Sequence, residues 1–109
     1  NITFKQLRLF LALEQTESVT KASRMMHISQ PTASMQLKEM TENIGSPLFE
    51  VISKKIHLTG LGKEFAKTAR EMMDRWEAFE QHATQMKGLT KGRLRVAVVS
   101  TAKYFVQNY

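Results

Sequence analysis

Two helical patterns separated by only three residues constrain the fold of this chain more than any other feature of the sequence. Val19, Ala22 and Met26 recur at helical spacing, and a second helical pattern begins after residues 27–29. Ala22 and Ser23 are small, so they allow another helix to approach closely. A helix, a three-residue turn and a second helix are typical of a helix-turn-helix motif.

The flanking helices carry start and stop signals of their own. Thr3 suits the N-cap of a first helix, whose apolar positions are Phe4, Leu7, Phe10 and Leu11. After the turn, Ser29 is the expected N-cap, Pro31 fits the first helical turn, and Gly45 is expected to end the helix. The inward stripe of this third helix is Ala33, Leu37, Met40 and Ile44. Its outer face then carries Pro31, Ser34, Met35 and Lys38, with Gln30 at the helix start.

A short two-stranded ribbon is predicted next. Residues 48–51 and 55–58 are rich in apolar and β-branched side chains, and they flank a turn at residues 52–54. Lys54 and Lys55 lie at this turn. The predicted fold class is therefore mainly α, a winged helix-turn-helix with the ribbon as its wing.

The outer face of the third helix carries side chains suited to DNA. In such motifs the helix N-terminus meets base edges in the major groove, while the wing and other helix N-termini contact phosphates. Gln30 can make paired hydrogen bonds to adenine, and Ser34 suits either base type. Thr32 or Met35 can touch a thymine methyl group. Backbone contacts are expected from Thr20, Lys38, Lys54 and Lys55.

The distribution of charge along the chain supports DNA binding more strongly than the total charge does. The 109 residues carry a formal charge of +6. Residues 88–109 contribute four basic and no acidic side chains, whereas residues 1–60 contribute seven basic and five acidic ones. Two stretches without acidic residues, 19–38 and 51–63, cover the helix-turn-helix and the wing. Basic charge is thus concentrated locally, where DNA contacts are expected.

A long helix capped by Thr59 is predicted to follow. Its apolar positions alternate in steps of four and three, as in a coiled coil: Phe65, Ala69, Met72, Trp76, Phe79, Ala83 and Met86. At about 1.5 Å per residue the helix runs roughly 40 Å. One interpretation is a helix packed on its own domain. We favour a dimer seam, because Trp76, Phe79 and Met86 lie beyond reach of a three-helix domain.

The last segment changes in character. Residues 88–92 contain two glycines and predict a hinge, and residues 94–99 resemble a strand buried in a parallel sheet. The sequence thus predicts three parts: a DNA-binding domain at 1–59, a linker and dimerisation helix at 60–87, and a hinge with the start of a second, α/β domain at 88–109.

Several other classes of site find no support in the sequence. There is no cysteine, no apolar run of the roughly 18 residues needed for a membrane span, and no visible signal peptide. His27, His57 and His82 lie on separate predicted elements without ligand spacing, so no metal site is expected. Residues 60–62 (Gly-Leu-Gly) fit a helix start better than a phosphate-binding loop. We expect no cofactor, no enzymatic activity and a cytoplasmic location.

Several segments resemble the N-terminal region of LysR-type bacterial transcriptional regulators. They are residues 4–10 (FKQLRLF), 18–23 (SVTKAS), 28–34 (ISQPTAS), 45–50 (GSPLFE), 57–59 (HLT) and 60–62 (GLG). Residues 92–105 (GRLRVAVVSTAKYF) are similar to the CbbR subgroup, which regulates RuBisCO operons. The similarity spans residues 3 to about 99.

The resemblance implies a winged helix-turn-helix, a linker helix that pairs two subunits, and a metabolite-binding effector domain. It implies DNA contacts by Gln30, Pro31, Thr32 and Ser34, and an effector pocket at Ser100 and Thr101. Two residues depart from the family pattern. Met35 stands where many members have Arg, which should weaken guanine readout. Val51 also replaces an Arg, which puts one wing contact in doubt.

The expected function is sequence-specific binding of double-stranded DNA at inverted repeats, controlling carbon-fixation genes in response to a metabolite. The expected assembly is a homodimer, or a tetramer at full length, with RNA polymerase as a further candidate partner. Alternatives are a LysR-type regulator of another operon and a coiled-coil interaction module. A molybdate-type regulator is disfavoured by the tail sequence.

Overall fold

The computed structural model describes the backbone of residues 1–97 and the side chains of residues 1–89. Its elements are α1 (Phe4–Thr16), α2 (Val19–Met25), α3 (Gln30–Ile44), β1 (Phe49–Ile52), β2 (Lys55–Leu58) and α4 (Gly60–Ala97). The predicted mainly α architecture with a two-stranded wing is confirmed. The chain divides into two compact units, of which the first, called here the head, is Asn1–Met73. The second begins at Asp74.

Local capping explains where the first three helices begin and end. Thr3 and Gln6 form a reciprocal capping box at the start of α1, and Ser18 and Ser29 cap α2 and α3. Gly45 ends α3 in the left-handed conformation at φ 90°, as its lack of a side chain allows. The predicted start and end of the third helix are therefore confirmed.

The wing is an antiparallel hairpin. Phe49 pairs with Leu58 at its base, and Ile52 pairs with Lys55 at its tip. The turn contains only Ser53 and Lys54, both with positive φ, at 51° and 66°. Two-residue hairpin turns favour this geometry because it matches the twist of the strands. The strand pair was predicted correctly, but its first strand is displaced by one residue, since it begins at Phe49 and ends at Ile52 where residues 48–51 were expected.

The core of the head joins all three helices to the wing and to the start of α4. Its buried members include Leu9, Phe10, Leu13, Ala22, Ala33, Leu37, Met40, Leu48, Ile56 and Ala66. Phe10 and Phe65 pack edge to face with ring centroids 5.0 Å apart. Apolar burial on this scale is the main stabilising contribution in a small domain.

The first part of the predicted dimer seam belongs to this packing. Ala69 is completely buried in a cluster with Leu7 and Met73, and Phe65 lies against the same cluster. Neither residue is placed to contact a second copy, so the interpretation as a helix packed on its own domain is correct for these two positions. A heptad pattern marks an apolar face, and an intramolecular neighbour covers it as well as a partner helix does.

The backbone also differs from the prediction for residues 88–97. These residues continue α4, whereas a hinge at 88–92 and a strand from Leu94 were expected. Glycine costs a helix only about 1 kcal/mol relative to alanine, and a helix satisfies its backbone hydrogen bonds internally. A strand of a parallel sheet depends on neighbouring strands. Val98, Val99, Ser100 and Thr101 lie outside the described residues.

Candidate nucleic-acid interface

The N-terminal turn of α3 is held by a cluster of polar side chains. Ser29 Oγ accepts a hydrogen bond from the backbone N–H of Thr32 at 3.2 Å. The same hydroxyl donates to Thr32 Oγ1 at 2.8 Å. Pro31 occupies the first turn, where its missing N–H has no helical partner to lose. The sequence therefore presents a short, fixed helix start.

Gln30, the first residue of α3, is connected to α2. Its Oε1 accepts a hydrogen bond from Thr20 Oγ1 at 3.1 Å. Thr20 is the second residue of α2, so this contact links the starts of the two helices of the motif. Gln30 is exposed and Thr20 is half-buried.

The outer face of α3 is open to a ligand. Ser34, Met35 and Lys38 are exposed, with Met35 at 51%, while Ala33 and Leu37 on the opposite side are buried. The side chains predicted to face DNA thus share one accessible surface that begins at Gln30. We call residues 30, 31, 34, 35 and 38 the reading face.

A buried polar contact positions α3 on α1. Gln6 is 4% exposed, and its Nε2 donates to Gln36 Oε1 at 2.7 Å. Its Oε1 accepts from the backbone N–H of Thr3 at 3.0 Å, completing the capping box. Because the buried amide of Gln6 has partners at both ends, it links the start of α1 to the middle of α3. The Thr3–Gln6 spacing signals the capping box in the sequence, but no sequence pattern marks the contact with Gln36.

The two lysines predicted to contact phosphates from the wing differ in their surroundings. Lys55 Nζ lies 3.4 Å from Glu17 Oε1, and both side chains are substantially exposed. The backbone N–H of Ile56 also donates to the carbonyl oxygen of Glu17 at 3.1 Å. Glu17, the C-cap of α1 at φ 58°, therefore holds β2 through both its backbone and its side chain. Within residues 1–89, Lys54 forms no ion pair.

Val51 and Ile52 lie on the outside of the wing, at 66% and 50% exposure. Val51 occupies the position where the sequence pattern led us to doubt a wing contact. Its exposed aliphatic side chain has no charge to offer a phosphate.

The remaining seam residues lie on α4. In the head, Met72 is 46% exposed. In the second unit, Trp76, Phe79 and Met86 are 37%, 50% and 55% exposed, and Ala83 is half-buried. The Trp76 and Phe79 rings lie 5.4 Å apart at an interplanar angle of 33°.

Other kinds of site are not formed in the described part of the chain. No group of three His, Asp or Glu side chains there is arranged to hold a metal ion. Among residues 1–97, no helix is both long enough and apolar enough to cross a membrane. The predicted effector contacts Ser100 and Thr101 stay predictions.

A three-helix head with a wing and an exposed, polar reading face defines the class of winged helix-turn-helix DNA-binding domains. Residues 4–63 match the family of bacterial regulatory helix-turn-helix proteins of the lysR type. The chain belongs to this family, as its motifs predicted.

Relatives and solved structures agree with this assignment. The RuBisCO operon transcriptional regulator of Acidithiobacillus ferrooxidans is 38% identical over 104 residues, covering 95% of this chain and 34% of the relative. The chain therefore spans about a third of that protein. The predicted similarity to RuBisCO operon regulators is confirmed.

The solved structures similar to this chain include complexes with DNA. One is Vibrio fischeri DarR in complex with DNA, with a TM-score of 0.76 and 29% identity, covering 82% of this chain and 30% of that one. Another is the CbnR DNA-binding domain in complex with DNA, with a TM-score of 0.74 and 25% identity. It covers 78% of this chain and 98% of that one. The head and the first part of α4 thus have the fold of domains that have been solved on DNA.

Proposed function

We propose that this chain is the DNA-binding part of a LysR-type transcription regulator that controls carbon-fixation genes. The observation that carries the proposal is the reading face, where Gln30, Ser34 and Met35 are exposed on one side of a helix that core packing fixes from the other. The similarity to a RuBisCO operon regulator supports the choice of target genes. A LysR-type regulator of another operon is the alternative.

Base reading is assigned to Gln30, Thr32, Ser34 and Met35. Backbone contacts are assigned to Pro31, Lys38, Lys54 and Lys55. Lys54 is the stronger wing candidate, because Lys55 is paired with Glu17 whereas Lys54 forms no ion pair within residues 1–89. The start of α3 adds a favourable helix dipole for a phosphate.

The decisive experiment compares specific and non-specific binding. The wild-type chain is used to select duplexes from a random pool, and the affinity for the selected site is divided by that for an unrelated duplex. Changing Gln30→Ala and Ser34→Ala together should lower this ratio at least tenfold, since each good base contact supplies about 1–3 kcal/mol of discrimination. Thr84→Ala with Gln85→Ala, which removes a hydroxyl and an amide from α4, is the matched control. An unchanged ratio in the first double variant would refute the reading face.

We further propose that α4 pairs two copies of the chain, through Met72 in the head and Trp76, Phe79, Ala83 and Met86 in the second unit. Exposed large apolar side chains at heptad spacing favour a partner helix over solvent. Two copies would then engage the two halves of an inverted repeat. Phe65 and Ala69 are not included, because they are packed within the head.

Trp76→Glu tests the pairing. A carboxylate placed in the seam should weaken the dimer by at least about 1.4 kcal/mol, a tenfold change in dissociation constant. Gln81→Glu adds the same charge at an exposed position of α4 off the seam and should leave the dimer unchanged. Sedimentation equilibrium measures both variants. A Trp76→Glu chain that dimerises like the wild type would exclude this seam.

The full-length protein is proposed to be a cytoplasmic tetramer whose further domain begins within residues 88–109 and binds a metabolite near Ser100 and Thr101. RNA polymerase is its proposed partner at the promoter. The rival function, a coiled-coil interaction module without DNA binding, predicts that the random pool yields no preferred sequence.

A further inference from the structure

The contact between Thr20 and Gln30 determines which atoms of Gln30 are left for DNA. The Thr20 hydroxyl donates to Gln30 Oε1 at 3.1 Å. In the described part of the chain, Gln30 Nε2 has no hydrogen-bond acceptor. An amide held by its oxygen in this way presents its N–H donors to the next partner it meets.

This arrangement favours donation by Gln30 over the paired recognition of adenine. That pairing uses both ends of the glutamine amide, with Oε1 accepting from the adenine N6 amino group and Nε2 donating to N7. In this structure the Thr20 hydroxyl occupies one of the two lone pairs of Oε1, so the oxygen has less acceptor capacity left for the adenine amino group, whereas both hydrogens of Nε2 remain available. The sequence predicts an adenine pair for Gln30 and a phosphate contact for Thr20, and this contact favours a different role for each residue.

The hydroxyl group of Thr32 is also arranged to donate a hydrogen bond. Thr32 Oγ1 accepts from the Ser29 hydroxyl at 2.8 Å, so the hydroxyl hydrogen of Thr32 remains available for donation. The start of α3 thus offers hydrogen-bond donors from both Gln30 and Thr32. Purine N7, guanine O6 and thymine O4 are the acceptors that the major groove provides.

We propose that Thr20 is a positioning residue that holds the Gln30 amide as a donor, so that Gln30 recognises an acceptor on guanine, thymine or purine N7 and does not require the adenine amino group. The inference rests on the proposed DNA-binding function. Thr20 acts through Gln30 and contacts no base itself.

The first test uses the wild-type chain and modified DNA. The duplex is selected from a random pool, and the base pair read by Gln30 is the one whose preference disappears in Gln30→Ala. At that position 7-deaza purines remove N7, 2-aminopurine lacks guanine O6, and 5-methyl-2-pyrimidinone lacks thymine O4. Loss of one acceptor should weaken binding about tenfold, which corresponds to one good contact. Replacement of an adenine by purine, which lacks the amino group, should leave the affinity unchanged.

The opposite pattern would overturn the proposal. If the preferred base is adenine and loss of its amino group weakens binding as much as loss of N7, then both ends of the amide are reading the base. The proposal also falls if every acceptor deletion is without effect, or if Gln30→Ala leaves all base preferences intact.

The second test changes Thr20. Thr20→Val keeps the branched shape and removes the hydroxyl, and should reduce the preference at the Gln30-dependent base pair about fivefold while non-specific affinity stays constant. Thr20→Ser retains the hydroxyl and should behave as the wild type. In the Gln30→Ala background, Thr20→Val should cause no further loss, since the two changes remove one interaction. Thr20→Ala provides the same comparison if circular dichroism shows that the valine variant is unfolded.

A phosphate contact by Thr20 predicts a different result. Thr20→Val would then weaken binding to all duplexes alike, with the same loss when Gln30 is alanine, and the positioning role would be excluded. Failure of the proposed function can be distinguished from failure of this inference alone. A wild-type chain that selects no sequence refutes the proposed function and this inference together. A wild-type chain whose Gln30-dependent preference survives Thr20→Val refutes the inference alone.

Discussion

Gly62 lies where the start of α4 passes closest to the backbone before the wing. A Cβ atom added at this position would overlap the carbonyl oxygen of Leu48 and come within 2.9 Å of its carbonyl carbon, short of the ordinary contact of 3.4–4 Å. The obstacle is backbone, and Leu48 is 1% exposed, so it has little freedom to move. Gly62→Ala should therefore force a shift of the loop or of the helix start.

The expected cost follows from three contributions. Alanine gains about 1 kcal/mol over glycine in a helix. Overpacking of a well-packed site costs about 1–3 kcal/mol. The Leu48 carbonyl accepts a hydrogen bond from the Thr59 backbone N–H at 3.0 Å, and its displacement costs about 1 kcal/mol more. The variant should be destabilised by about 1–3 kcal/mol in spite of its better helix propensity.

Urea unfolding followed by far-ultraviolet circular dichroism measures this difference. Gly60→Ala is the matched control, because no atom lies within 4 Å of a Cβ added at Gly60. The control should be between unchanged and about 1 kcal/mol more stable. A Gly62→Ala chain as stable as the wild type would show that the close approach to Leu48 does not exist in solution.

Two further substitutions test the wing and the α1–α3 contact. Lys54→Gly should raise the free energy of unfolding by about 1 kcal/mol, because glycine relieves the left-handed conformation at φ 66°. Lys54→Gly should also weaken binding to every duplex and reduce the slope of log affinity against log salt concentration by about 0.9. A salt series measures this slope, with Lys67→Ala as the control. An unaltered slope would show that Lys54 does not contact DNA. Gln6→Leu should destabilise the head by about 1–3 kcal/mol in urea, because it leaves the Thr3 N–H and Gln36 Oε1 without their partner. Gln15→Leu on the exposed side of α1 should change stability by less than about 0.5 kcal/mol, and equal losses in the two variants would contradict the role of the buried amide.

The sequence predicts the head well because its signals are local. Ser29 caps the start of α3, and Gly45 ends the helix. Each of the two residues acts through a hydrogen bond to a residue three or four positions away in the sequence. The apolar spacing of Ala33, Leu37 and Met40 marks the buried side of the same helix. From these positions the exposed reading face follows by geometry alone.

The predictions that differ from the structure depend on contacts between distant residues. The heptad pattern assigns Phe65 and Ala69 to a partner helix, and only the folded head shows that α1 covers them. The phosphate contact of Lys55 stays a prediction, but the acidic neighbour of Lys55 cannot be found from the sequence. Its ion pair with Glu17 exists because folding brings the α1–α2 turn to the wing.

Residues 88–97 differ from the predicted hinge and strand for a further reason. Val96 belongs to a β-branched run that favours a strand where other strands supply hydrogen bonds. In this chain Val96 lies in α4, where the backbone hydrogen bonds are made within the helix. The secondary structure that such a segment adopts therefore depends on whether neighbouring strands are present.

Glu17 has a consequence for the engineering of regulators with new DNA targets. Its carbonyl oxygen receives the Ile56 N–H and its carboxylate faces Lys55, so the α1–α2 turn and the wing form one transplantable piece. A chimera that exchanges only α3 keeps the wing where this chain holds it. A chimera that imports a foreign wing keeps the backbone N–H that Glu17 accepts but loses the ion pair, unless the new wing carries a basic residue at position 55.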